Sequence, residues 1–238
     1  MSINKKKFNK VASSTDTFEP TKHFNTVLYK GTSATQNVGS YINQGAVFNG
    51  SNTKIDINAT SSTPIDFSNK NFTISAWING TGFTSDDRTI VSKYSGSNNS
   101  TSSFFFDIRD SDQKLRVTEI NGTSALGLQS NDAISENTWN HVVYVRTSTT
   151  CEFFINGSSS GGSQSRTSNI NDGGTTTISI GERQANKRFI GKIDQVRFFD
   201  RALTSSEVNT LYGETFDSST KSTTDIFGDR SGISLYQF

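Results

Sequence analysis

A chain of 238 residues is long enough for one large all-β domain, and only 31% of it is AVILMFWYC while 11% is aromatic, including 18 phenylalanines. The 23 basic and 22 acidic residues leave a net charge of +1, so no single-sign field marks a nucleic-acid or membrane surface. One cysteine, Cys151, excludes an internal disulfide and a Cys-rich zinc site, and the two histidines, His23 and His141, share no metal-binding spacing.

Residues 1–20 are polar and weakly patterned, which predicts an anchoring or docking arm; Lys5, Lys6, Lys7 and Lys10 form the only basic cluster. The stretch "FNKVASSTDTF" that follows this cluster lacks the apolar segment of a secretory signal. No run reaches the length of a transmembrane helix. The sequons at Asn79 and Asn121 are expected by chance in so Asn- and Thr-rich a chain.

From residue 21 to 213 short strand patterns follow one another between turn signals. "NTVLYKG" (25–31) and "GAVFNGSNTKIDI" (45–57) come first, then "FTISAWING" (72–80), "RTIVSKY" (88–94), "SFFFDIRD" (103–110) and "KLRVTEI" (114–120). "TWNHVVYVRT" (138–147), "CEFFING" (151–157), "TTISIGE" (176–182) and "RFIGKIDQVRFFD" (188–200) complete roughly ten strands, the pattern of a sandwich or jelly roll. Phe72, Ile74, Ala76 and Ile78 share one face of their strand, and Trp77 lies on the other. "RDSDQK" (109–114) and the Asn156-Gly157 pair read as hairpin turns, and the Gly/Ser-rich run 157–169 as a mobile loop.

One helix is expected, over "TSSEVNTLYG" (204–213). Thr204 and Glu207 form a capping box, Leu203 and Val208 a hydrophobic staple, and Gly213 a C′ residue. Val208, Leu211 and Tyr212 share a face that calls for burial. Residues 214–224 then read as a linker. In 225–238, "ISLYQF" echoes "TVLYKG", and because a lone strand buries nothing, the segment is expected to open a second, truncated or disordered repeat.

"GAVFNGSNTKIDI", "FTISAWI", "TIVSKY", "NTWNHVVYV", "FFING" and above all "FIGKIDQVRFFDRALTSSEV", in this order, resemble the laminin G-like, concanavalin A-like jelly-roll family over most of the chain. "DTFEPTKHFNTVLYKG" and "GDRSGISLYQF" look like segments of tail-fibre and other structural proteins of marine tailed bacteriophages. The resemblance implies an all-β fold, a two-sheet antiparallel jelly-roll sandwich with one short capped helix near the C-terminus. It also implies a glycan- or protein-binding module, in many members with one structural calcium. Carried onto this chain, that ion would combine Asp194 with carbonyls of the "FNGS" segment, around Asn49 to Asn52, although the family often has an acid where this chain has Asn49. The alternative role for Asp194 is a hydrogen-bonding strut. Asp86-Asp87 and the group Asp107, Asp110 and Asp112 are further acid clusters, in turns that are Asp-rich anyway.

Endo-glucanases of this sandwich carry an E-I-D-x-x-E strand whose two glutamates act as nucleophile and acid/base. Here Lys192 and Arg197 occupy those places around Asp194. His141 follows a strand-opening "TWN", Cys151 has no adjacent base, and there is no GxSxG and no P-loop, so no catalytic group is named. Trp77, Tyr94, Tyr41 and Arg183 are residue types found in glycan sites, without singling out a ligand-binding residue.

The resulting expectation is a non-catalytic structural or binding module of a bacteriophage virion, at the surface of capsid or tail. Its partners would be other virion proteins, further copies of itself and a host-surface glycan, with no nucleic acid or membrane and no cofactor beyond the structural calcium. The alternative is a lectin-like module of a bacterial adhesin or carbohydrate-active enzyme.

Overall fold

The computed structural model describes residues 45–57, 67, 71–97, 100–122, 124–166, 170–171, 176–183, 187–213, 226–229 and 231–236, together with the backbone of 17–18 and 27–30. The expected arm, the linker 214–224 and Tyr41 otherwise lie outside the described residues.

Strands follow one another as β1 (Thr17–Phe18), β2 (Val27–Lys30), β3 (Ala46–Asn49), β4 (Lys54–Ile57), β5 (Phe72–Gly80), β6 (Arg88–Lys93), β7 (Phe104–Ile108) and β8 (Lys114–Asn121). Next come β9 (Ser124–Ala133), β10 (Asn140–Arg146), β11 (Thr150–Ile155), β12 (Ser158–Ser159), β13 (Gln164–Ser165), β14 (Ile178–Ile180) and β15 (Ile190–Phe199). Helix α1 (Ser205–Tyr212) and strand β16 (Gly232–Tyr236) complete the order. The first sheet runs β1-β2-β4-β14-β6-β7-β8-β9; the second runs β12-β11-β10-β5-β15-β16, with β13 on β11 and β3 on β15. All pairings are antiparallel, so the all-β jelly-roll sandwich read from the sequence is the fold.

Period-2 alternation explains which side chains meet between the sheets. Ile55, Ile57, Ile178, Ile180, Phe104, Phe106, Leu115 and Val117 from the first sheet face Phe72, Ile74, Ala76, Ile78, Val142, Tyr144 and Phe153 from the second. Few but large rings fill the middle: Phe67 meets Phe104, Phe72 and Phe198 edge-on at centroid distances of 4.7, 4.9 and 5.9 Å. Fully burying each such side chain contributes about 1.5–3 kcal/mol, so a core with a low apolar fraction can still hold two large sheets together.

One charged cluster interrupts this core. Glu119 of β8 is fully buried and accepts from Tyr144 Oη at 2.7 Å, Arg146 Nε at 2.8 Å and Arg166 Nε at 2.9 Å. Arg166 also donates through Nη2 to Glu119 and through Nη1 to the Thr147 and Ser148 carbonyls, both at 3.1 Å. The acid sits on the first sheet and the bases on the second sheet and its loop, so the network bolts the two layers together. Cys151, fully buried nearby, has its thiol pushed up to about 12 by burial and then by the Glu119 charge, which makes it an inert packing residue.

Four details differ from the sequence reading. Strand β9 is added, because "SALGLQSNDA" has no β-branched run to announce it. The Gly/Ser-rich run forms β12 and β13, two-residue strands that both pair with β11. Segment 232–236, expected to begin a second repeat, has a partner: β16 pairs with Val196–Phe199 of β15, and Tyr236 joins the main core. Strand β2, whose sequence it echoes, pairs with β4 in the other sheet, so the two segments occupy non-equivalent places. Gly213 closes α1 at φ −80°, not left-handed, with its N–H donating to Asn209 O at 2.9 Å.

Candidate functional site

Strand β15 decides how the sequence motif is used. On one side it pairs with β5; on the other its first half pairs with β3 and its second half with β16. Asp194 faces Trp77 and Arg197 faces Ser75, so one extra residue is inserted between them, a β-bulge at Gln195 with φ +48°. The bulge resets the alternation: Ile193, Val196 and Phe198 enter the core, and Asp194, Arg197 and Phe199 take the outer face. Asp194 is 2% exposed, and its Oδ1 accepts the Gln195 N–H at 2.8 Å. It pins the bulge.

Three direct cross-strand rows therefore lie on the outer face of the second sheet: His141–Trp77–Asp194, Val143–Ser75–Arg197 and Val145–Thr73–Phe199. Helix α1 covers the last two rows, packing Val208 and Leu211, with Leu203, on Val143, Val145, Phe154 and Phe199. Its approach is fixed by Thr73, whose Oγ1 donates to Arg201 O at 2.8 Å and accepts from Leu203 N at 3.0 Å. The predicted capping box is present: Thr204 Oγ1 accepts from Glu207 N at 3.3 Å, and Glu207 Oε2 accepts from Thr204 N at 2.8 Å. Arg201 forks onto Glu207 at 2.7 and 2.8 Å and also holds Asp229, tying the helix start to the segment that leads into β16. That hydrogen bond from Arg201 is the main reason the Glu207 carboxyl falls to about 2.

The first row ends up under Tyr212. Its ring lies over both Trp77 (centroids 5.7 Å, interplanar 19°) and His141 (6.0 Å, 27°), which themselves sit 5.2 Å apart. Tyr212, expected to share the buried face of the helix, is instead 40% exposed, the one large hydrophobic side chain so exposed among the described residues. His141 is buried, bonds Ser75 Oγ through Nε2 at 2.8 Å, and is pushed down to about 3 by burial and then by the Arg197 charge. It is a neutral spacer at physiological pH and no general base. Beside the stack, Asn79 and Lys192 are paired in register and half-buried, and Trp139 and Asp194 both lie against Gly45. Both tryptophans of the chain thus border this corner of the sheet.

The structure does not assemble the calcium set that the resemblance implied. Asn49 pairs with Ile190, so Asp194 lies four residues further along β15, roughly 13 Å away at about 3.3 Å per residue. Asn49 Oδ1 already accepts the N–H groups of Ser51, Asn52 and Thr53 at 2.9, 3.0 and 3.3 Å, and Asn49 Nδ2 donates to Asn52 Oδ1 at 2.7 Å. Asn49 and Asn52 build a turn, and Asp194 builds a bulge four residues along β15. Among the described residues no three His, Cys, Asp or Glu side chains gather as a metal site.

The other acid clusters are engaged by cations. On the outer face of the first sheet Asp87 and Asp107 are bridged twice. Arg116 Nη2 reaches them at 2.7 and 2.6 Å, and Arg183 reaches them at 2.9 Å each. Arg183 in turn lies 3.9 Å over the Phe105 ring, against which Tyr94 packs edge-on. Burial pushes Asp107 up to about 6, whereas hydrogen bonds from Arg116 and the Asp110 amide outweigh the burial of Asp87 and hold it near 2. These divergent carboxyls are not an acid/base pair, because Asp107 is fully buried with both oxygens held by guanidinium groups. On β15 itself Asp194 is the single acid, so the paired carboxylates of a glycosidase have no counterpart there.

The molecule is thus an antiparallel two-sheet jelly roll with a short helix on the outer face of its second sheet. The chain belongs to the concanavalin A-like lectin/glucanases superfamily: the Laminin_G_3 family model matches residues 49–209. Comparison with curated protein sequences gives no match. Among solved structures, domain 4 of AbnA, a GH43 extracellular arabinanase from Geobacillus stearothermophilus seen in complex with arabinotriose, superimposes with a TM-score of 0.63. The likeness has 18% identity and covers 79% of this chain and 89% of that one. The binding domain of Paraclostridial Mosquitocidal Protein 1 gives 0.59 at 20% identity, over 76% of this chain and 45% of that one. The botulinum neurotoxin serotype G binding domain gives 0.55 at 17% identity, over 80% and 45%. At these identities the likeness establishes the fold.

Proposed function

We propose that this chain is a non-catalytic carbohydrate-binding module displayed on the surface of a bacteriophage particle, where further copies and other virion proteins hold it in place. The observation that carries the non-catalytic reading is β15. Its one acid, Asp194, is buried and committed to the bulge, and Lys192 and Arg197 stand where a glucanase needs its glutamates. The family is described by its lectins and glucanases, and with the glucanase apparatus missing the lectin side is favoured. Domain 4 of the arabinanase, solved with arabinotriose, supports a saccharide as the ligand class. The virion placement is supported by the resemblance of "DTFEPTKHFNTVLYKG" and "GDRSGISLYQF" to phage structural proteins. Two measurements test the reading. The purified chain is expected to bind a printed glycan array while releasing no reducing sugar from any polysaccharide that it binds. Mass spectrometry of purified particles of the phage carrying the gene is expected to detect the chain; its absence from particles returns the module to a bacterial adhesin or secreted enzyme.

A further inference from the structure

We propose that the open face of Tyr212 is the saccharide-binding plane of this protein, receiving the C–H face of a sugar ring; the inference rests on the carbohydrate-binding reading above and gives it a site. Three observations converge on the Tyr212 ring. It is 40% exposed, while the other large apolar side chains described are buried or half-buried. It is supported from beneath by two further rings, Trp77 and His141, tilted from it by only 19° and 27°. It is also held at a fixed height by a turn from another strand. The Asn156-Gly157 pair has φ +51° and +79°, the left-handed values of a primed hairpin turn, and joins β11 to β12. Asn156 exchanges two bonds with His141, through its amide N to His141 O and from His141 N to its Oδ1, both at 2.8 Å. Gly157 lies so close to the helix that a Cβ there would stand 2.8 Å from both Tyr212 Cδ1 and Asn209 Oδ1. The same dipeptide thus seats the lower ring and leaves room for the upper one.

The geometry selects the ligand. Rings stacked on one another leave one flat face, not the surrounding walls of a cage for an ammonium group. Arg197, one row below, and Lys192, one row above, further disfavour a cation. A sugar offers an apolar C–H face for the ring and hydroxyls for the flanking groups, here the exposed Asn209 on the helix and the half-buried Asn79 two residues along the strand from Trp77.

The test is a glycan array followed by fluorescence titration with a soluble oligosaccharide from the bound set, with arabinotriose and cellohexaose as standing probes. Binding should change tryptophan emission, because Trp77 lies directly beneath Tyr212. Tyr212→Ala should weaken binding about tenfold or more and Tyr212→Phe by less than about threefold, since the ring and not the hydroxyl carries the contact. Gly157→Ala should weaken binding by displacing the ring, with an unchanged fold by circular dichroism. Wild-type affinity in folded Tyr212→Ala, or a glycan that binds without any change in tryptophan emission, overturns the site while leaving glycan binding intact. A wild-type chain that binds no glycan on the array overturns both.

Discussion

The Asp194 carboxylate accepts the backbone N–H of its own neighbour, Gln195, at 2.8 Å, inside the bulge that β15 forms against β5. This contact gives the acid in "GKIDQVRFFD" a structural role. A residue at φ +48° leaves its amide turned from the ladder, and the side chain beside it supplies the missing acceptor. Asp194→Ala should cost about 1–3 kcal/mol, the penalty for stranding a buried donor, while Asp194→Asn keeps an oxygen in place and costs less. Urea unfolding at neutral pH distinguishes them; equal losses for both variants would mean that the negative charge, and not the acceptor, is what matters.

The Glu119 network makes a prediction of opposite sign for single and combined changes. Glu119→Leu leaves Arg146 and Arg166 in the interior without their shared carboxylate, and removing one member of such a cluster costs about 3–5 kcal/mol. Replacing Glu119, Arg146 and Arg166 together by Leu, Met and Met removes all three charges, and the triple variant should recover most of that loss. Denaturation midpoints of wild type, Glu119→Leu and the triple variant give the answer, and a triple variant weaker than Glu119→Leu would show that the ions do more than satisfy one another.

His141 gives the pH dependence. Its folded value of about 3 lies below the ordinary 6.5, so as pH falls through 6.5 the unfolded chain takes up a proton that the native protein refuses. Stability from this group is therefore full above pH 6.5 and declines toward pH 3, by at most about 1.4 kcal/mol per pH unit. Between pH 7 and pH 5 the loss is about 2 kcal/mol, by the same linkage. Urea midpoints at the two pH values should show this loss as the difference between wild type and His141→Phe, which keeps a ring beneath Tyr212 but cannot titrate, because Asp107, raised to about 6, shifts both proteins alike in the opposite sense.

Much of this architecture is written locally. Thr204, Glu207, Leu203 and Val208 announce helix α1 because caps and staples are contacts between near neighbours, and each of them is made. Alternation in "FTISAWING" places Trp77 opposite the core for the same reason. What the sequence conceals is whatever depends on register between distant strands. Nothing in "IDQVRFF" marks Gln195 as the inserted residue, and without the bulge Gln195 and Arg197 would share the core face with Ile193. Tyr212 fits the apolar stripe of its helix as well as Leu211 does; only the turn at Gly157, about fifty residues earlier, decides that one is exposed and the other buried. A signal was available in that turn, since an Asn-Gly pair fixes where a hairpin ends and so what can approach it.

Asn49 shows the same limit in a testable form. A resemblance that brings Asp194, Asn49 and Asn52 together must place them across one strand pair, and the β3–β15 register separates them by four residues instead. Asn49 Oδ1 is the acceptor for three backbone N–H groups of its turn, an Asx-type cap with no side-chain oxygen left to offer. Asn49→Ala should therefore destabilise the protein by about 1–2 kcal/mol through loss of the turn, to the same extent in millimolar calcium and in EDTA. Thermal unfolding of wild type and variant in both buffers measures this. A midpoint that rises with calcium in the wild type, and loses that rise in both Asn49→Ala and Asp194→Ala, would place the three residues around one ion after all.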